Sequence, residues 1–294
     1  MAAGPREGAS EAEIHALEST LQVKLPEDLV SLYGNHNGAA DRGKLPWRLL
    51  PTCEAEAMNA ELRRERILPP EVSLFWTDDE GDFAGIYFAG PLTGNVCFID
   101  HEDPDFTPRF KTLKRFLNAV ITAAKFGHSW REMPSDYPCS KNESDAESLQ
   151  QLLTQFRSVT DFRERCQLAF DIMALTPLER TADLLPFLDD EDLWVQERAA
   201  EHLGKRRYAP AIPLLVKVAQ RDAGRVPNAQ IGAIVALGRM KSAEGLESLL
   251  GLADTIQRFH SYIIRALELH GCSIKFDGDK WKFRLPRAKE WKTL

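Results

Sequence analysis

A ten-residue pattern that returns at a fixed interval limits most narrowly what this chain can fold into. The run Val195–Gly204 recurs 34 residues later as Ala229–Gly238, with Ala199, Leu203 and Gly204 matched by Ala233, Leu237 and Gly238. The register persists beyond it, Ala209, Ile212 and Leu215 matching Ala243, Leu246 and Leu249. Each unit reads as a helix, a glycine stop, and a second helix carrying Leu-Leu pairs. A further copy lies around Phe259 to Leu269 at a slightly shorter offset, and a degenerate one precedes, around Phe162 to Leu188. One such pair leaves an apolar face open, and stacked neighbours bury it. Residues 148–271 are therefore expected to form an all-α repeat domain, a signal that speaks to architecture and says little about activity.

The pattern breaks after Gly271. Ser273 to Phe276, then Asp277-Gly278-Asp279, then Lys280 to Leu285 read as a β-hairpin on an Asp-Gly turn. Alternation puts Ile274 and Phe276 on one face, and Trp281, Phe283 and Leu285 likewise, with Lys or Arg at most intervening positions. Residues 272–294 are expected to cap the last repeat.

The first half is of another kind. Ile14, Leu17 and Leu21 make one apolar helical stripe. Leu25-Pro26-Glu27-Asp28-Leu29 then opens a second helix, with Pro26 and the two acids suited to its first turn. Leu29, Leu32 and Tyr33 share a face, and Asn37-Gly38 is expected to supply the positive φ that ends the helix. Glu54 to Arg66 reads as a charged helix. Val72–Trp76, Phe83–Phe88 and Asn95–Ile99 read as strands of an antiparallel meander, and Leu113, Phe116, Leu117 and Val120 as a closing helix. Residues 11–132 are thus expected to be an α+β domain, with a small antiparallel sheet flanked by helices. The Pro-, Ser- and acid-rich stretch 133–147 is expected to be a linker.

The order of these features carries a resemblance. A leucine-proline-acidic helix, Asn37-Gly38, Pro69-Pro70, the turn Asp78-Asp79-Glu80-Gly81-Asp82, and a strand from Gly94 ending in Asp100-His101 make the first half similar to the SUKH superfamily, over roughly residues 11 to 130. The second half resembles short HEAT-type repeats. SUKH members include bacterial toxin-immunity proteins and fungal regulators of cell-wall synthesis. The resemblance therefore implies protein–protein inhibition or regulation without catalysis.

Charge is unevenly placed. Of a net −7, residues 1–140 hold 14 basic and 22 acidic side chains, and residues 141–294 hold 23 and 22. Between Arg66 and Arg109 there is no Lys or Arg in 42 residues, yet nine carboxylates. A field of one sign disfavours nucleic acid and favours a basic partner. The expected partner-binding residues are Asp78, Asp79, Glu80 and Asp82 of one turn, Glu102, Asp103 and Asp105 of another, and Trp76 as an aromatic anchor or, equally, as core. The bland alternative is that acidic turns keep sheet edges soluble.

Five scattered cysteines offer no paired metal or redox motif. No run approaches the roughly 18 apolar residues of a membrane span, and the first ten residues lack a secretory pattern. Nucleotide-binding, serine-hydrolase and zinc-protease motifs are missing, and the Asp78–Asp82 turn fails calcium-loop spacing, with Ala89 at its twelfth position. His101, Glu102, Asp103 and Asp105 read as a satisfied turn more readily than as a metal site. The sequence thus points to a non-catalytic cytoplasmic protein with no cofactor or metal, its partner a cognate bacterial toxin such as a basic nuclease, with no nucleic-acid or membrane partner. The alternative is a regulatory or scaffold protein without a toxin. A repeat-type glycosylase would need a basic concave face, and the near-neutral repeats argue against one.

Overall fold

The computed structural model describes residues 7–102, 105–140, 145–221, 226–278, 280–286 and 288–293. Asp103 and Asp279, singled out above, lie outside them. Two compact units emerge, one reaching to Pro138 and adding Asp145–Thr154, the other taking the remainder from Cys139 onward.

In the first unit, α1 (Glu11–Leu21), α2 (Glu27–Asn35) and α3 (Thr52–Arg64) accompany a five-stranded antiparallel meander, β1 (Arg48–Leu49), β2 (Val72–Thr77), β3 (Phe83–Tyr87), β4 (Val96–Ile99) and β5 (Pro108–Phe110), paired in sequence order. Helix α4 (Leu113–Phe126) closes it, capped by Thr112 and ended by Gly127 in the left-handed region. Strand β2 carries a bulge between Leu74 and Trp76. There the fully buried Asn59 of α3 serves as a substitute strand. Its amide donates to the Leu74 carbonyl at 2.9 Å and accepts the Leu74 N–H at 2.9 Å.

The Asn37-Gly38 pair works differently from a simple helix stop. Helix α2 ends at His36 in extended conformation. The Asn37 side chain accepts the Thr52 N–H at 2.8 Å, capping α3, whose preceding Pro51 offers no side-chain cap. Gly38 has φ +69°, and a Cβ there would sit 2.4 Å from the Pro51 nitrogen. The motif is a junction between two helices and β1.

Helix α5 (Ala146–Ser158) is divided between the units, its residues to Thr154 belonging to the first and those from Gln155 to the second. The repeats follow: α6 (Phe162–Leu175) with a 3₁₀ segment Leu178–Asp189, α7 (Leu193–Lys205) with α8 (Ile212–Gln220), α9 (Asn228–Met240) with α10 (Ala243–Thr255), then α11 (His260–Leu269). One apolar core runs through them, including Ala199, Leu203, Leu215, Ala233, Leu237, Leu249 and Leu267.

The repeat glycines do not stop the helices. Gly204 and Gly238 are buried inside α7 and α9, where a Cβ would come within 2.7 Å of the Ala236 Cα and 2.8 Å of the Ala266 Cα. They let successive helices pack at backbone distance. The chain turns instead at Arg207 and Lys241, equivalent positions with φ of 52° and 51°. Basic side chains also reach back one repeat to the last-turn carbonyls: Arg206 donates to Met173 at 2.6 Å, and the His270 ring contacts the Leu237 carbonyl at 3.1 Å. His202 is kept neutral, its pKa pushed down to about 3 by burial and by Arg206 and Lys205.

Strands β6 (Ser273–Asp277), β7 (Lys280–Arg284) and β8 (Lys292–Thr293) form a three-stranded sheet, one strand more than the hairpin expected. Cys272, Ile274 and Leu285 pack on the repeat core and Phe283 is buried, whereas Phe276 and Trp281 remain exposed. Only the near end of the apolar face seals the stack.

The glycine assignment predicts that Gly204→Ala or Gly238→Ala destabilises the protein by about 2 kcal/mol through overpacking. Gly34→Ala in α2, where a Cβ meets nothing within 4 Å, should instead be neutral or gain a few tenths. Urea unfolding of the three variants checks this.

Candidate functional site

The acidic turn between β2 and β3 is built around two buried carboxylates. Asp78 is 1% exposed. One of its oxygens accepts the backbone N–H groups of Glu80 (2.8 Å) and Asp82 (3.0 Å), and the other accepts the Trp130 indole N–H at 3.2 Å. Asp82, equally buried, accepts the His101 backbone N–H at 3.0 Å, the His101 imidazole Nδ1 at 2.7 Å, and Arg131 at 3.2 Å. Asp79 takes φ 63° and Gly81 φ 110°, and a Cβ on Gly81 would be 3.4 Å from the His101 ring. The sharp turn thus aims Asp78 and Asp82 inward and leaves Asp79 and Glu80 outward.

The second turn, after β4, lies alongside because Phe83 pairs with Ile99. Arg131 joins the two turns, donating to Asp82 and, at 3.0 Å, to Asp100, while its guanidinium rests 4.3 Å over the Trp130 ring. Arg48, nearly buried, donates to Asp79 at 2.8 Å and to Glu54 at 2.9 Å, and Arg42 pairs with Glu80. The acidic window therefore does not act as an unopposed field. Arginines from outside it meet Asp79, Glu80, Asp82 and Asp100.

Burial alone would raise the Asp82 carboxyl pKa. Hydrogen bonds from the His101 backbone and ring outweigh it, with the charges of Arg131 and His101, and hold that carboxyl below its ordinary 3.8. The His101 pKa is raised above 6.5, chiefly by its hydrogen bond to Asp82. Asp82, Asp100 and His101 bring possible ligand atoms within 4.8 Å of one another, but both carboxylates already hold the Arg131 guanidinium. The cluster reads as an ion-paired knot.

The expected partner-binding residues thus separate into groups. Trp76 takes the core alternative: at 3% exposure it lies edge-to-face against Phe116, rings 4.9 Å apart. Asp78 and Asp82 are likewise internal, and no partner reaches them without opening the turn. Asp79 and Glu80 are outward but ion-paired. Glu102 is exposed. Asp105 is half-buried and accepts the Thr107 N–H at 2.8 Å. Asp103 lies outside the described residues. What sequence reasoning missed is Arg48 and Trp47, from a stretch without recognisable motifs. Trp47 sits in the core, its ring 5.0 Å from Phe98 and 5.6 Å from Trp130.

A helix-flanked antiparallel meander followed by stacked helix pairs makes this a two-part protein, an α+β domain joined to a helical-repeat domain. Residues 8–119 match the SMI1 / KNR4 family (SUKH-1), and residues 181–267 match HEAT repeats. The chain carries an SMI1/KNR4 (SUKH-1) domain followed by HEAT repeats. No curated protein matches it. Among solved structures it is similar to human deoxyhypusine hydroxylase in complex with glycerol, at 19% identity and a TM-score of 0.37. That match covers 52% of this chain and 53% of the other, so the chain spans about half the length of that protein. Among the described residues, no helix is long and apolar enough to cross a membrane.

The His101–Asp82 pair makes stability pH-dependent with a definite sign. A raised histidine pKa contributes stability that is fully present below about 6.5 and lost as pH rises through the folded value. The lowered Asp82 contributes above about 3.8 and is lost as pH falls through its own folded value. His101→Gln should therefore be less stable than the native protein near pH 5.5, with the gap narrowing by about pH 9. Urea unfolding at the two pH values measures this.

Proposed function

We propose that this chain is a non-catalytic protein-binding module whose first domain captures a basic partner, a cognate toxin of the immunity type, through the rim formed by the two acidic turns. The observation that carries the reading is the pairing of turns on one edge. Four carboxylates (Asp79, Glu80, Asp82, Asp100) pair there with three arginines, His101 adds a further contact to Asp82, and with Asp78 and the exposed Glu102 the carboxylates still outnumber the cations. Such a surplus steers a basic protein and repels nucleic acid. A nuclease toxin, basic because its substrate is a polyanion, has the chemistry the rim would attract. The SUKH-1 match supports an immunity or regulator-like role, and the HEAT repeats support interaction with protein.

The recognition residues in this reading are Glu80 and Glu102, with His101 and Arg131 half-exposed on Asp82 and Asp100. Asp78, Asp82 and Trp76 hold the rim up from beneath. A cytoplasmic setting belongs to the same proposal. The repeats favour a second reading, a regulatory scaffold without a toxin, since a helical stack is itself an interaction surface.

Co-expression with a toxin encoded beside this chain separates the two. The immunity reading expects rescue of growth and co-purification, and neither occurs under the scaffold reading. Glu80→Lys with Glu102→Lys should weaken capture of the basic partner about tenfold or more while leaving the unfolding midpoint nearly unchanged. Unaltered affinity in that folded variant removes the rim from the interface.

A further inference from the structure

The C-terminal sheet has two unlike faces. Its register pairs Ile274 with Phe283 and Phe276 with Trp281, so these four share one side, whose near end packs on the last repeat. The other side carries Ser273, Lys275 and Asp277 from β6, and Lys280, Lys282 and Arg284 from β7. Among the described residues of these two strands, four cations share that face with one carboxylate.

That carboxylate pairs with the face's own lysines. Lys282 donates to Asp277 at 2.7 Å and Lys275 stands 3.8 Å away. Two of the cations are also held in place. The Lys275 ammonium lies 4.6 Å, and the Arg284 guanidinium 5.1 Å, from the ring centroid of Trp291, just before β8. Cation–π contact fixes two otherwise flexible side chains, and fixed donors lose less entropy when a ligand arrives.

Positive charge alone would suit either a nucleic acid or an acidic protein. Single-stranded nucleic acid is gripped largely by bases stacking on open aromatic faces. On this face the aromatic is Trp291, and the sheet's own cations already stand over it. Strand β6, five residues long, forms one edge of the sheet. An edge strand is a template for an extended peptide, whose backbone pairs while alternate side chains meet the sheet face.

We propose that this face is a docking surface for an acidic protein segment, an extended Asp/Glu-rich peptide laid along β6 with its carboxylates at Lys275, Lys280, Lys282 and Arg284. It is opposite in sign to the rim of the first domain and selects a different partner.

The test uses the full chain and a fluorescent Asp/Glu-rich peptide of about twelve residues, read by anisotropy. An Asn/Gln peptide of equal length and an oligo-thymidine serve as comparison probes. The acidic peptide should bind in a salt-sensitive manner. Affinity should fall about tenfold or more in Lys275→Glu with Arg284→Glu. Trp291→Ala, which keeps every charge, should weaken binding severalfold, and Lys241→Glu on the repeats should leave it unchanged. Circular dichroism melts identify any variant that fails to fold, and Trp291→Ala remains informative if the double variant does. The proposal is overturned if the folded variants bind as well as the native chain. It is overturned equally if oligo-thymidine binds and the acidic peptide does not, or if light scattering finds that the face is taken up only by a second copy.

Discussion

The carboxylate of Asp78 ties the acidic turn to the aromatic core of the first domain. It takes two backbone N–H groups of its own turn and the indole N–H of Trp130, a residue 52 positions away. A buried carboxylate is costly unless its oxygens are satisfied, and here three donors converge on it. Once Asp78 is fixed, Asp82 is carried inward, His101 and Arg131 gather on it, and the second acidic turn is drawn alongside the first. Trp130 in turn packs on Trp47 and Phe98, which continue to Phe110 and Phe116. The rim therefore depends on a polar contact made beneath it.

Much of the architecture was legible because it is periodic. A 34-residue interval with matched small and leucine positions demands stacked helix pairs, and alternation around Ile274 and Phe283 demands a strand. The misreading of Gly204 and Gly238 has a physical origin. A missing Cβ serves a helix end and a close helix crossing equally well, and one dimension does not distinguish them. The stops fall at Arg207 and Lys241, residue types that give no sign of the left-handed region. Asn37-Gly38 was readable as the end of α2, but the use of Asn37 as a cap for α3, fifteen residues on, was not.

The candidate site was legible in composition and illegible in pairing. Runs of acids are plain in the sequence. Their arginines are not, since Arg48 meets Asp79 across 31 residues, Arg42 meets Glu80 across 38, and Arg131 meets Asp82 across 49. Charge counted along the chain therefore overstated the field. Trp76 shows the same limit, because an aromatic at a strand end gives no sign in sequence of which face it serves. The two ends of the chain then stand in contrast, an acidic rim on the SUKH-1 domain and a basic sheet face after the HEAT repeats.

The central claim is that the inward acids build the rim and the outward ones are left for recognition. Urea unfolding of Asp78→Ala beside Glu80→Ala tests it most directly. Asp78→Ala strands three donors and should lose about 3 kcal/mol, while Glu80→Ala, a surface pair with Arg42, should stay within about 0.5 kcal/mol of the native protein. Equal and small losses in both would contradict the account.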